Sequence, residues 1–315
     1  MLSRIGNSLF WTGRYIERAE HIARFTRVQY LSSLDAPLAQ KKHYILESIL
    51  DMVGYQFNKL IDENKLSEEE VLFFVCLDPN NPNSVIASIN YARENVRGAR
   101  DTVSSEFWEI LNKYYHEING YSHEEFLSEG PFDFSEMIYR NSSIVKGCID
   151  NTHIHNDPWA ILSMGLHLER AVQITRILIA KLNDIRKIEK GTKAQAIINY
   201  QIGALLKSTE SFDMSRKYFK TIPSLINALD FLMLNVEFPK SLSFNLTHAS
   251  IYLNKINLGN PLDRTTPEFR LEKIANKFKY LSVEEIEKNA LGLLEETLNE
   301  LYGIGAMIEK KYLSF

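Results

Sequence analysis

A chain that carries one helical signature twice, about half its length apart, must find two equivalent places for it. Gly13-Arg14-Tyr15-Ile16-Glu17-Arg18-Ala19-Glu20 returns 152 positions later as Gly165-Leu166-His167-Leu168-Glu169-Arg170-Ala171-Val172. At that shift Gly13, Glu17, Arg18, Ala19, Ile22 and Arg24 meet identical residues. With about 100° per residue, Glu17, His21 and Arg24 share one side of a helix and Tyr15, Ile16, Ala19 and Ile22 the other. In the second copy Leu162, Val172 and Ile177 flank the charges, so that helix is apolar nearly all round and reads as buried. A buried charge requires a partner.

The repetition extends further. Leu72 to Val85 recurs at Leu229 to Leu242, a shift of 157, with Leu72, Phe74, Leu77, Pro82 and Ser84 meeting identical residues and the candidate cap Ser67 meeting Ser224. Two segments recurring in the same order at nearly the same offset indicate duplication. The expected fold is all-α, a helical bundle of two duplicated halves, residues 1–150 and 151–315, packed as one compact domain. The economical arrangement is a pseudo-two-fold axis with the two Glu-Arg helices at the centre.

Helices are predicted from about Ser3 to Leu31, Ala39 to Asn64, Ser67 to Leu77, Ser84 to Tyr115 and Phe134 to Cys148, with His116 to Pro131 as a surface connection. In the second half Asp157 as cap and Pro158 at the first helical position start the Glu169 helix. Asn183 to Lys193 reads as a solvated helix end. Further helices are expected at about Ala194 to Lys207, Ser224 to Leu234, Ser241 to Asn257 and Ser282 to Tyr312, with a turn at Gly259-Asn260-Pro261.

Composition narrows the function. A 315-residue chain with 45% hydrophobic residues can bury a sizeable core, and a net charge of -4 gives no reason to expect nucleic acid or an anionic membrane as partner. Cys76 and Cys148 lack CxxC spacing, which points to reduced thiols. Arg4, Arg14, Glu17 and Arg18 interrupt any signal-peptide core, and the longest apolar run, Val71 to Leu77, is too short to span a bilayer. A cytoplasmic location is expected. His153 and His155 lack the further ligands a metal site needs, so no metal is expected. GxGxxG, GxxxxGK[ST], HExxH and GxSxG signatures are absent, and no cofactor is expected.

The chemistry is therefore sought in the charged repeat. Adjacent on a helix, Glu17 and Arg18 diverge and cannot pair with each other. Partners for Glu17 would be Arg14 or Arg24 on its own helix, or Arg170 and Arg176 from the other half. Two readings stay open. In one, a buried reciprocal network fixes how the halves dock. In the other, Glu17 and Glu169 line a cleft as acid or base, with Arg14, Arg18, Arg24, Arg170 and Arg176 holding a carboxylate or phosphate. A second candidate is Arg93, Arg97 and Arg100, spaced to share one helix face. Their counterparts are Ser250, Asn254 and Asn257, so the repeat does not need them.

These same residues carry a resemblance to the bacterial alpha-E family of helical proteins. It covers essentially the whole chain and rests on Met1-Leu2-Ser3-Arg4, Gly13 to Glu20 with Ala23-Arg24, Ala92 to Arg97, Ser105 to Glu109 with Leu111-Asn112, and Gly165 with Leu168 to Ala171. Leu166 stands where the family pattern often has a second arginine. The resemblance implies an all-α fold, a bacterial origin and two kinds of partner, circularly permuted ATP-grasp ligase-like and transglutaminase-like proteins. It implies participation in ATP-dependent peptide or amide-bond formation. The chain would be an accessory component presenting an anionic or peptide substrate at the Glu-Arg centre, or an enzyme of the same pathway using Glu17 or Glu169 as general acid or base.

Overall fold

The computed structural model describes residues 3–35, 42–54, 67–188, 194–257 and 263–314. They form helices, and no strand occurs among them. In the first half the helices are α1 (Ser3–Asp35), α2 (Lys42–Met52), α3 (Glu68–Cys76), α4 (Val85–Gly98), α5 (Ser105–Gly120), α6 (His123–Glu129) and α7 (Pro131–Thr152). The second holds α8 (Asp157–Arg186), α9 (Ala194–Ser208), α10 (Phe212–Phe219), α11 (Leu225–Met233), α12 (Leu242–Ile256), α13 (Pro267–Tyr280) and α14 (Val283–Ile308). A π turn over Glu309–Leu313 continues α14. Among the described residues no helix is long and apolar enough to cross a membrane.

The two long helices α1 and α8 cross at the centre and share the most extensive contact among the described helices. Their backbones touch at two glycines. A Cβ on Gly13 would lie 2.3 Å from the carbonyl oxygen of Leu162, and one on Gly165 would lie 2.2 Å from that of Phe10. No side chain fits between the helices there, so glycine is required for close approach rather than for a turn. Around the crossing α1 packs on α4, α7 and α2, and α8 packs on α12, α14 and α9, while α2 reaches over to α8 and α9 to α1. Phe10, Ile16, Ile22 and Phe25 of α1 and Leu168, Ile174, Ile177 and Leu178 of α8 are wholly buried in the resulting core.

Local chemistry sets the helix starts. Ser67 and Ser224 accept from the backbone N–H of Glu70 and Asn227, and Ser84 and Ser241 cap α4 and α12 after the recurrent proline turn. The turn itself repeats, with Ser84 Oγ donating to the Asp78 carbonyl (2.7 Å) and Ser241 Oγ to that of Asn235.

Several expected boundaries need correction. The helix expected from Ser84 to Tyr115 is two, because Gly98 and Ala99 close α4, Arg100–Thr102 form a 3₁₀ turn, and Ser104 caps a new start. The cap of α8 is Asn156, with Asp157 inside the first turn. The region read as a surface connection holds α6, opened by a capping box between Ser122 and Glu125. Helices α10 and α13 were not expected, and Thr266 followed by Pro267 starts α13. Of the helix expected from Ala39 to Asn64, residues 39–41 and 55–64 lie outside the described residues, as do Gly259-Asn260-Pro261 and the end of the Asn183 to Lys193 stretch.

Candidate functional site

Glu169 lies on the face of α8 that meets α1, and its side chain is wholly buried. Arg14 Nε donates to Oε2 at 2.7 Å, and Arg18 donates through Nε to Oε1 at 2.8 Å and through Nη2 to Oε2 at 3.3 Å. Gln173 Nε2 adds a fourth bond at 2.8 Å. Glu17, equally buried on α1, is held in the opposite sense. Arg170 donates Nε to Oε2 at 3.0 Å and Nη2 to Oε1, with Lys146 Nζ at 3.4 Å and His21 Nδ1 also at 3.4 Å. Each glutamate is thus gripped by the arginine that neighbours the other, in the forked geometry that suits guanidinium and carboxylate. The third nitrogen of each fork is engaged as well. Arg18 Nη1 donates to Asn83 Oδ1 (3.1 Å) ahead of α4, and Arg170 Nη1 to the Pro239 carbonyl (3.3 Å) ahead of α12.

The electrostatics follow from this geometry. Burial alone would raise the pKa of both carboxyls, but Arg170 and Lys146 around Glu17, and Arg18 and Arg14 around Glu169, outweigh it and hold both below the ordinary range. Burial lowers His21 to about 4, against the pull of Glu17, so its ring is neutral at pH 7. A general base works best with a pKa near the operating pH and an open lone pair. These carboxylates have neither.

The two ends of the clasp differ in one respect. Arg14 gives Glu169 a second guanidinium and packs beside Gly305 of α14, where a Cβ would meet Nη1 in ordinary contact at 3.4 Å. At the matching place in the repeat stands Leu166, which cannot serve Glu17. Lys146, reaching in from α7, supplies the second cation instead.

Around Glu17 the charges spread outward. Glu20 is also buried and takes Arg24 (3.0 Å), Lys240 (3.1 Å) and Lys146, while Glu210 joins Arg24 and Lys240. Arg24 therefore belongs to this network, although it does not touch Glu17. Its counterpart Arg176 is directed elsewhere, donating to Tyr302 Oη (2.8 Å) and the Met52 carbonyl (2.7 Å). A separate buried pair, Lys181 with Asp184 (3.0 Å), is completed by Gln29 and Ser48.

Arg93, Arg97 and Arg100 do not continue as one helical stripe, but Arg93 and Arg100 both lie over the Trp108 ring, 5.2 and 5.8 Å from its centroid. Arg100 leaves the helix with the 3₁₀ turn and bonds Ser105 Oγ at 3.3 Å, because Gly98 and Ala99 end α4 before it. Arg93 and Arg97 both pair with Glu94 between them. Arg93 also lies 4.9 Å from the Tyr115 ring centroid, and Trp108 packs against the core with its ring under these guanidinium groups. His155 stacks on Trp159 at 3.9 Å, and His153 lies beside Phe107.

Lys146, Glu20, Lys240 and Glu210 were not singled out from the sequence. Glu20 lies three residues beyond Glu17 on a neighbouring part of the same helix face. Lys240 occupies, at the 157 shift, the place of Asn83, which contacts Arg18. The repeat could have marked Lys240, and helical spacing from Glu17 could have marked Glu20, whose counterpart in the repeat is Val172. No comparable signal marked Lys146 or Glu210.

Fold and site define an all-helical protein whose two central helices are joined by reciprocal Glu-Arg pairs. The chain belongs to the Alpha-E family, described as a predicted alpha-helical domain with a conserved ER motif, whose model matches residues 1–313. Glu17-Arg18 and Glu169-Arg170 are the two such steps at this centre. The chain is 24% identical over 328 residues to the uncharacterized protein Mb2597 of Mycobacterium bovis and 23% identical to the uncharacterized protein Rv2567 of Mycobacterium tuberculosis. Each alignment covers 97% of this chain and 35% of the relative, so the chain spans about a third of their length. No solved structure matches.

Proposed function

We propose that the protein is a binding component of a cytoplasmic system that forms amide or peptide bonds. It works beside a circularly permuted ATP-grasp ligase-like protein, with a transglutaminase-like protein as a further partner, on an anionic or peptide substrate. The observation that favours this role over acid–base catalysis is the saturation of Glu17 and Glu169, each buried and gripped by a forked arginine. With no phosphate loop in the sequence, ATP chemistry falls to the ligase. Adding the purified chain to the ligase-like protein, ATP and candidate peptides is expected to raise ligase turnover, while the chain alone turns over nothing. Turnover by the chain alone, abolished in a folded Glu17→Gln variant, would establish the catalytic reading instead.

The same reading takes residues 1–150 and 151–315 as duplicated halves of one compact domain, related by a pseudo-two-fold axis through the crossing. Support comes from the matched neighbours of α1 and α8, the reciprocal pairs, and the matched contacts of Arg18 and Arg170 with the turns before α4 and α12. A rescue experiment tests it. Lys146→Ala is expected to cost about 1–3 kcal/mol, because Glu17 and Glu20 lose a buried partner. If the axis relates Arg14 to position 166, adding Leu166→Arg should recover at least half of that loss in a denaturant titration. Further destabilisation by the second substitution would count against the axis.

A further inference from the structure

A cleft of about 430 Å³ opens between the end of α2, α8 and α14, and the described residues that line it include Asp51, Gly54, Arg176, Ile179, Leu298 and Tyr302. That volume lies within the range of small-ligand sites. Its charged groups are unlike the others near the crossing. Arg14, Arg18, Arg24 and Arg170 all bind carboxylates, whereas Arg176 pairs with none among the described residues. Its guanidinium is nonetheless fixed in place, by Tyr302 Oη on Nε and the Met52 carbonyl on Nη1. Gly54, in the left-handed region at φ 72°, leaves space beside Nη2, where a Cβ would come within 3.2 Å. A held guanidinium whose Nη2 has no partner among the described residues can donate to a carboxylate.

The opposite charge lies in the same cleft. Among the described residues the Asp51 side chain makes no hydrogen bond or ion pair, while its backbone carbonyl accepts from Gly54 N–H at 3.1 Å. Asp51 is exposed, yet the partial desolvation it meets raises its carboxyl to about 6, with Glu47 and Asp184 adding to the rise and Lys187 and Arg176 opposing it. Ile179, Ala180 and Leu298 give the cleft an apolar wall, and Asn299 offers a side-chain amide at its edge. One cation and one anion held apart over an apolar wall match a molecule that is itself a zwitterion with an apolar stem.

We propose that this cleft binds a short zwitterionic peptide, with Arg176 taking the terminal carboxylate, Asp51 the terminal ammonium, and Ile179 and Leu298 an apolar side chain. This deepens the binding-component reading by naming a substrate class for Arg176, and it rests on that reading only in taking a peptide-like cargo. Its test uses no ligase, so failure here and failure there are distinguishable.

The full chain would be titrated calorimetrically with a panel of zwitterionic dipeptides, Gly-Leu, Gly-Phe, Gly-Glu and Gly-Lys, and with the N-acetylated and C-amidated forms of the best binder. At least one dipeptide is expected to saturate a single site, and blocking either terminus is expected to weaken it by about 10-fold or more, the loss of one charge-assisted hydrogen bond. Arg176→Gln should lose the preference for a free carboxylate. Asp51→Asn, at a side chain with no partner to lose and hence little effect on folding, should lose the preference for a free ammonium. Three results would overturn the proposal: no saturable binding by any dipeptide, equal binding of blocked and free forms, or unchanged terminal preference in Asp51→Asn.

Discussion

Glu169→Ala is expected to remove about 3–5 kcal/mol of folding stability, the range found when one partner of a buried ion pair is deleted. The carboxylate accepts from Arg14, Arg18 and Gln173, and its removal leaves two guanidinium groups facing a space with no counter-charge. Neither can leave readily. Arg14 is 8% exposed and Arg18 13%, and Arg18 is also tied to Asn83. A loss of this size is roughly a fifth or more of the stability of an ordinary domain. Chemical denaturation of the wild type and Glu169→Ala measures it directly. A difference below about 1 kcal/mol, the value of exposed pairs, would mean that solvent already serves the arginines.

Gly165→Ala is expected to cost about 3 kcal/mol or more, although it adds only a methyl group. The new Cβ would lie 2.2 Å from the Phe10 carbonyl oxygen and 3.1 Å from its carbon, both backbone atoms that no rotamer change can move. The helices must separate, and overpacking of a tight interface costs about 1–3 kcal/mol even before other contacts are lost. Here separation also lengthens the Glu17–Arg170 and Arg18–Glu169 bonds that cross the same interface. Gly147→Ala supplies the control. A Cβ there meets nothing within 4 Å, so that helical glycine should gain about 0.5–1 kcal/mol on replacement. Similar effects of the two substitutions on the denaturation midpoint would remove the close crossing as their explanation.

Much of this centre was legible in the sequence because repetition turns a weak local pattern into a positional constraint. The match of Gly13 to Gly165 and of Glu17-Arg18 to Glu169-Arg170 marked the residues that meet at the crossing. The near all-round apolar character of the second copy marked it as buried. What sequence could not decide was the direction of the pairing, since Arg14, Arg24, Arg170 and Arg176 were all within reach of Glu17 on helical geometry alone. The packing of α1 on α8 pairs Arg170 with Glu17 and Arg14 with Glu169, and Arg176 turns to the cleft by α2 and α14.

The misplaced helices fail for local reasons. Arg93, Arg97 and Arg100 fit one periodic stripe only if the helix runs on, and the periodicity of Val96, Ala99 and Val103 concealed a break made by Gly98 and a Ser104 cap. Ser122 with Glu125 was a capping box inside a polar stretch. The short helix it opens buries Phe126, while most of its other side chains face solvent, so hydrophobic spacing gave little sign of it. Lys146 had no local signal at all. Its role appears only when α7 is laid against α1, where it fills the place that Leu166 leaves without a charge.

The clasp and the poised base make opposite demands on the same two carboxyls. An unfolded glutamate takes up its proton near pH 4.3. The folded protein holds Glu17 and Glu169 ionised below that, so their contribution to stability is complete above about pH 5 and is lost as pH falls toward their folded pKa values. His21 acts in the same direction, because its folded pKa of about 4 makes protonation favour the unfolded chain below about pH 6.5. Acid titration of the ¹³C-labelled glutamate carboxyls, assigned with Glu17→Gln and Glu169→Gln, reads the two sites directly. Both resonances are expected to hold their ionised shift from pH 7 downward until the protein unfolds. A midpoint at or above 4.5 for either one, in the folded protein, would contradict the clasp.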